Sequence, residues 1–224
     1  MESASYASTT YWTIGINVTF WVAFLVLLKT GKASGMLKVI FGLLSIGWIA
    51  FIHYIGVNQA VIPASIPNWA YYTLTLSLAA LVLVVMYFSP IKKVFDNVSQ
   101  VNMQIVQGLR VFVASGFLME GVLGVVPGWF SIMDGFFHVT SGFLALVAAI
   151  AILKNAKTKN SLLWLANIVG LLDIVVIVTS ISFVVWQYLG PFHNMNYVVF
   201  YTGVILLWLH LISILKLLNS KSDR

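Results

Sequence analysis

SLLWLANIVGLLDIVVIVTSISFVVWQ, residues 161–187, runs for 27 positions with a single charged side chain, Asp173. As a helix it rises about 1.5 Å per residue, or roughly 40 Å. That exceeds the roughly 30 Å hydrocarbon core of a bilayer, so the segment spans with tilt or ends in a half-buried turn. A soluble core helix has no use for so long an apolar run. This stretch fixes the solvent as lipid and sets the frame for the rest of the chain.

Six more runs of similar character surround it. The apolar pattern predicts spans at 11–28, 36–55, 70–89, 105–125, 134–153 and 196–217, with 161–187 sixth in order. The 224 residues are 61% hydrophobic and 8% charged, against about 25% charged in a soluble domain. The expected fold class is therefore all-α: a polytopic membrane protein, a bundle of seven transmembrane helices forming one domain over 1–224. The connections leave no room for a second, soluble domain. The net charge of +6 does not point to nucleic acid, because the basic residues are scattered over short loops. There is no cysteine, which excludes disulfides, thiolate metal sites and thiol chemistry. The first ten residues carry no Lys or Arg and do not resemble a cleaved leader.

Basic residues set the expected orientation. Lys29, Lys32 and Lys38 flank the first connection, Lys92 and Lys93 the third, and Lys154, Lys157 and Lys159 the fifth. Lys216, Lys221 and Arg224 lie at the C-terminus, and the even-numbered connections carry none. The positive-inside rule places the N-terminus outside and the C-terminus in the cytosol. Ring side chains gather at the expected outer ends: Tyr11, Trp12, Tyr54, Trp69, Tyr71, Tyr72, Trp129, Trp186, Tyr188 and Tyr197. They read as an interfacial belt. Residues 90–104 alternate Ile91, Val94, Phe95 and Val98 with polar positions, the pattern of a short interfacial helix. Val18-Thr19 through Lys29 to Gly42 resembles Val139-Thr140 through Lys154 to Gly170. This suggests a parallel repeat of 11–89 and 134–217 joined by 105–125.

Function should reside where charge is least expected. Glu120, Asp134 and Asp173 are three of only six acids, and they lie in or at the start of apolar runs with Arg110. Each costs roughly 2.5–3.5 kcal/mol at a helix centre on insertion scales. Measured along straight helices, they separate into two depths. Glu120, Asp134 and His138 lie toward the outside, with His53 near the outer end of the second span. Arg110, Asp173 and His210 lie toward the cytosol, with Gln104, Gln107 and Asn167 as available partners. Asp134 and His138 share a face at i, i+4.

The inner group reads first as an ion pair tying span four to span six, and second as an anion clamp or a proton relay through His210 and Asp173. The outer group supports a metal ion or haem on His53, Asp134 and His138, a carboxylate dyad suited to proton coupling, or plain interhelical hydrogen bonding. His193 falls in a loop. No phosphate loop, His-Glu-x-x-His helix or Ser-x-x-Lys pair occurs, and span seven lacks the lysine a retinal would need.

Leu109-Arg110, Pro127-x-x-Phe130, Gly135 and Asn167-x-x-Gly170-x-x-Asp173-Ile174 resemble, over about residues 104–180, an uncharacterised family of small bacterial multi-pass membrane proteins. The family pattern has Asp where this chain has His138, Ala where it has Asp134, and a Trp before the Asn. The resemblance implies a bacterial inner membrane and a shared framework of Arg110, Asn167 and Asp173, but no activity. The residues themselves imply binding or transport of a small molecule, lipid or proton through an interior site. An intramembrane metal or haem enzyme and an accessory subunit are the alternatives. The partners expected are the bilayer and such a ligand, and oligomeric state is not readable.

Overall fold

The computed structural model describes residues 2–57, 66–185 and 196–222. Every element among them is helical: α1 (Glu2–Thr30), α2 (Gly35–Val57), α3 (Asn68–Phe88), α4 (Pro90–Asn97), α5 (Gln100–Gly108), α6 (Arg110–Val122), α7 (Gly128–Leu153), α8 (Lys159–Ser180) and α9 (Val204–Ser222). Two π-helical turns complete the set. Ile181–Val185 continues α8, and Val199–Gly203 precedes α9 after the short turn Asn196–Val198. Among the described residues seven segments are long and apolar enough to cross a membrane, with α5 and α6 together forming the fourth. The outer surface fits that environment. Phe88, Val122, Ile132 and Phe143 are 82%, 88%, 67% and 62% exposed, an apolar skin that water would penalise.

The turns have local causes. Lys32 (φ 61°), Gly124 (φ 71°) and Asn155 (φ 49°) each adopt the left-handed conformation two residues past the end of a helix. In each case the next amide bonds back five residues: Ala33 to Leu28, Val125 to Glu120 and Ala156 to Ala151, at 2.8–2.9 Å. This closure satisfies carbonyls that the ending helix leaves orphaned. Residues 90–97 do form a helix. Ser89 caps it by accepting from the Ile91 amide, Pro90 opens it, and Ile91, Val94 and Phe95 are buried. Lys92 and Asp96 pair on its exposed side at 2.8 Å. Phe95 joins Phe24 and Trp208 in a ring stack with centroids 5.7 and 5.9 Å apart, which ties α1, α4 and α9 together.

Two expectations change. The fifth span begins at Gly128, after Pro127, rather than at 134. Asp134 is therefore about 9 Å inside the helix, not at its mouth. Of the ring side chains at the expected outer ends, Tyr11, Trp12, Tyr54, Trp69 and Trp129 are exposed, but Tyr71 and Tyr197 are buried. Tyr72 packs on Phe183, with centroids 5.1 Å apart. Trp186, Tyr188 and His193 lie outside the described residues.

Span four is not one continuous helix. At Leu109 the backbone tightens: its amide bonds to Val106 and its carbonyl accepts from Phe112, both three-residue turns. Arg110 is the first residue after this break. Small residues on α7 face the α5–α6 pair. A Cβ at Gly135 would meet Leu118, and one at Gly142 would meet the Gly108 carbonyl and Arg110, so the helices approach closely, as small residues permit in membranes.

Candidate functional site

Arg110 is fully buried and is the hub of an interior polar network. Its Nη1 donates to Ser141 Oγ at 2.7 Å on α7 and to the Gly170 carbonyl at 3.2 Å on α8, and it lies 3.1 Å from His210 Nε2 on α9. Its Nε lies 3.4 Å from Asp173 Oδ2. A single guanidinium starting at the break in span four thus addresses spans five, six and seven.

Donor logic fixes the direction of the next bonds, because arginine can only donate. His210 Nε2 must accept, so Nδ1 carries the hydrogen and donates to Asn167 Oδ1 at 3.0 Å. The Asn167 amide then donates to the Leu163 carbonyl at 2.7 Å and to Ser213 Oγ at 2.9 Å. Ser213 donates to Gln100 Oε1 at 2.8 Å, and also accepts from Gln104 Nε2 at 3.3 Å. Gln107 donates separately to the Leu206 carbonyl at 3.1 Å. The line runs from the first residue of α5 to Arg110 in one consistent sense.

On its other side Arg110 faces acids. Asp173 Oδ2 is 2.8 Å from His138 Nδ1, and His138 Nε2 is 3.7 Å from Asp134 Oδ2. With Asp173 beside a guanidinium, its carboxylate accepts and His138 Nδ1 donates. That leaves Nε2 as the exchangeable nitrogen, aimed at Asp134. The 3.7 Å gap is too long for a direct hydrogen bond. Both Asp134 oxygens, Asp173 Oδ1 and Arg110 Nη2 make no hydrogen bond among the described residues. The Phe117 ring covers the imidazole at 5.6 Å. A cavity of about 30 Å³ adjoins Arg110 and His138, walled by Phe117, Val113, Ile177 and Leu206 among others. It has room for one or two water molecules.

The two depths expected from sequence are therefore one site. His138 joins Asp134 to Asp173, Asp173 joins them to Arg110, and Arg110 joins them to His210. Glu120 is also buried, on α6 nearly three turns beyond Arg110. His53 is elsewhere: its Nε2 lies 3.5 Å from Asn17, and its ring meets Tyr197 edge-on at 5.1 Å. Asn17 in turn accepts from Thr202 at 2.9 Å. By ligand distance the group able to surround an ion is Asp134, His138 and Asp173, whose atoms lie within 4.8 Å of one another. Asp173, not His53, stands as the third member. A relay from His210 to Asp173 would have to pass through Arg110, which separates them and cannot accept a proton. Ser213 and Gln100 carried no signal in sequence, being isolated polar residues beside a basic turn.

No curated protein and no solved structure matches the chain. A family model described as a domain of unknown function (DUF8737) matches residues 66–218. That span contains every member of the network from Gln100 to Ser213. With well over half of its length matched, the chain belongs to this family of unknown function.

Proposed function

We propose that this is a membrane carrier whose interior site binds and passes a proton, with Arg110 as a fixed positive charge. The carrying observation is His138, hydrogen-bonded through Nδ1 to Asp173 and directed through Nε2 at Asp134. Arg110 and Asp173 balance one another. Asp134 and His138 then have two balanced arrangements, carboxylic acid with neutral imidazole or carboxylate with imidazolium. They differ in the position of one proton: the O–H bond of Asp134 breaks as the N–H bond at His138 Nε2 forms. A short side-chain shift closes the 3.7 Å gap. The Gln100–Ser213–Asn167–His210 line holds Arg110 in place rather than conducting, because its amides are poor proton carriers.

A metal ion at Asp134, His138 and Asp173 is the second reading, on ligand distance alone. Arg110 disfavours it, since the guanidinium already supplies Asp173 with a counter-charge and would repel a cation. The orientation proposed is N-terminus outside, C-terminus cytosolic, in a bacterial inner membrane. The close packing of the lysine-bearing segments supports it: Lys216 Nζ donates to the Val98 carbonyl, and the α1–α2 turn at Gly31 abuts Val94 of α4.

The test is proton flux into proteoliposomes loaded with a pH-sensitive dye. Asp134→Asn and His138→Gln should each lower flux by about 10²-fold, the scale of a lost acid–base group. Flux equal to wild type in both variants would refute the assignment.

A further inference from the structure

A second feature lies on the lipid-facing side of the first hairpin. α1 and α2 line an open groove there of about 510 Å³, within the roughly 300–1,000 Å³ of ligand clefts. Trp21, Leu25 and Val26 wall it on α1 and Gly42 on α2, while Lys29 and Lys38 stand at the hairpin end. Trp21 anchors the far wall by donating from Nε1 to the Gly42 carbonyl at 3.1 Å. From Lys29 back to Trp21 is eight residues, or about 12 Å along the helix. The groove is thus a short apolar trough with two positive charges at one mouth.

Those charges have no counter-ion nearby in sequence. No Asp or Glu occurs between Glu2 and Asp96. Lys92, by contrast, is bonded to Asp96 at 2.8 Å, whereas among the described residues neither Lys29 nor Lys38 has an ion pair. Among the acids whose side chains are described, a second copy of the chain offers no match for this mouth: Glu120, Asp134 and Asp173 are buried, and Asp96 is already paired. What fits a two-lysine mouth on an apolar trough, at the end of a membrane span, is an amphiphile with an anionic head.

We propose that this groove holds one anionic phospholipid, its phosphate between Lys29 and Lys38 and part of one acyl chain along Leu25, Val26 and Gly42. Gly42 keeps the trough open, because a side chain there would project toward Leu25. This assignment is independent of the proton site.

Native mass spectrometry of the purified protein, exchanged into micelles carrying phosphatidylglycerol or phosphatidylcholine, tests it. One phosphatidylglycerol should stay bound, with about 30-fold preference over phosphatidylcholine, the effect of two lysines beside an anionic head. The double variant Lys29→Gln/Lys38→Gln should remove that preference. Lys154→Gln/Lys157→Gln, which removes equal charge from another turn, should keep it, and Gly42→Phe should displace the lipid with both lysines present. Equal loss in both lysine pairs would reduce the effect to general surface charge and overturn the site. Retention without Lys29 and Lys38, or a lipid-free dimer, would overturn it as well.

Discussion

Nη1 of Arg110 lies 3.2 Å from the carbonyl oxygen of Gly170, so the guanidinium crosses span six against bare backbone. A Cβ at 170 would collide with the His210 ring and come within 2.8 Å of Nη1. Neither group is a free end, since both are tied into the network. Gly170→Ala is expected to cost about 1–3 kcal/mol, the range for forcing atoms into a packed site. Gly47→Ala on α2, where nothing lies within 4 Å, should be neutral or gain up to about 1 kcal/mol in helix propensity. Thermal unfolding in detergent reads the contrast.

The Arg110–Asp173 pair predicts a non-additive response. Arg110→Gln strands a buried carboxylate and Asp173→Asn strands a buried guanidinium, and breaking a buried pair one-sidedly costs about 3–5 kcal/mol. The double variant should recover at least about half of that loss. A double-mutant cycle on unfolding free energy measures the coupling, and simple additivity would contradict the geometry.

His138 and Asp134 should separate function from stability. Asp134 makes no hydrogen bond among the described residues, so Asp134→Asn removes an exchangeable proton while shedding a buried charge. The unfolding midpoint should hold or rise while proton flux falls. Ser213→Ala should show the reverse. It orphans the Gln100, Gln104 and Asn167 groups, costing about 1–3 kcal/mol, yet leaves Asp134 and His138 in place. Paired melting and flux measurements on the two variants check this opposition.

Lys32 occupies a left-handed position (φ 61°) at the first hairpin. A Cβ there costs roughly 1–2 kcal/mol relative to glycine, partly offset by glycine's greater freedom when unfolded. Lys32→Gly should therefore raise stability by about 0.5–1 kcal/mol, seen as a higher unfolding midpoint.

Metal analysis offers a further check. With Arg110 3.4 Å from Asp173, elemental analysis of purified protein should find less than one equivalent of transition metal. A stoichiometric metal lost in Asp134→Asn would favour the second reading.

The spans were legible because long apolar runs have few other uses, and the short helix at 90–97 because its alternation is amphipathic. Asp134 was misplaced in depth for the same reason. Gly128 to Met133 continue the helix with small and apolar residues that mark no boundary, so the polar residue was mistaken for the edge. The split into two depths came from treating helices as parallel rulers. Side chains several ångströms long, and a break at Leu109 with no proline to announce it, let His138 and Arg110 reach one carboxylate. Ser213 was beyond reach because one hydroxyl in an apolar span carries no period.

The break at Leu109 also bears on how this protein can drift over time. Because one nitrogen answers to Ser141, Gly170 and His210 at once, a change at any of the three leaves a buried donor or ring without its place. Tolerated changes at these positions should therefore arrive in sets, spread over three helices far apart in sequence. The lipid-facing positions of α2, bound by no such shared obligation, should wander singly.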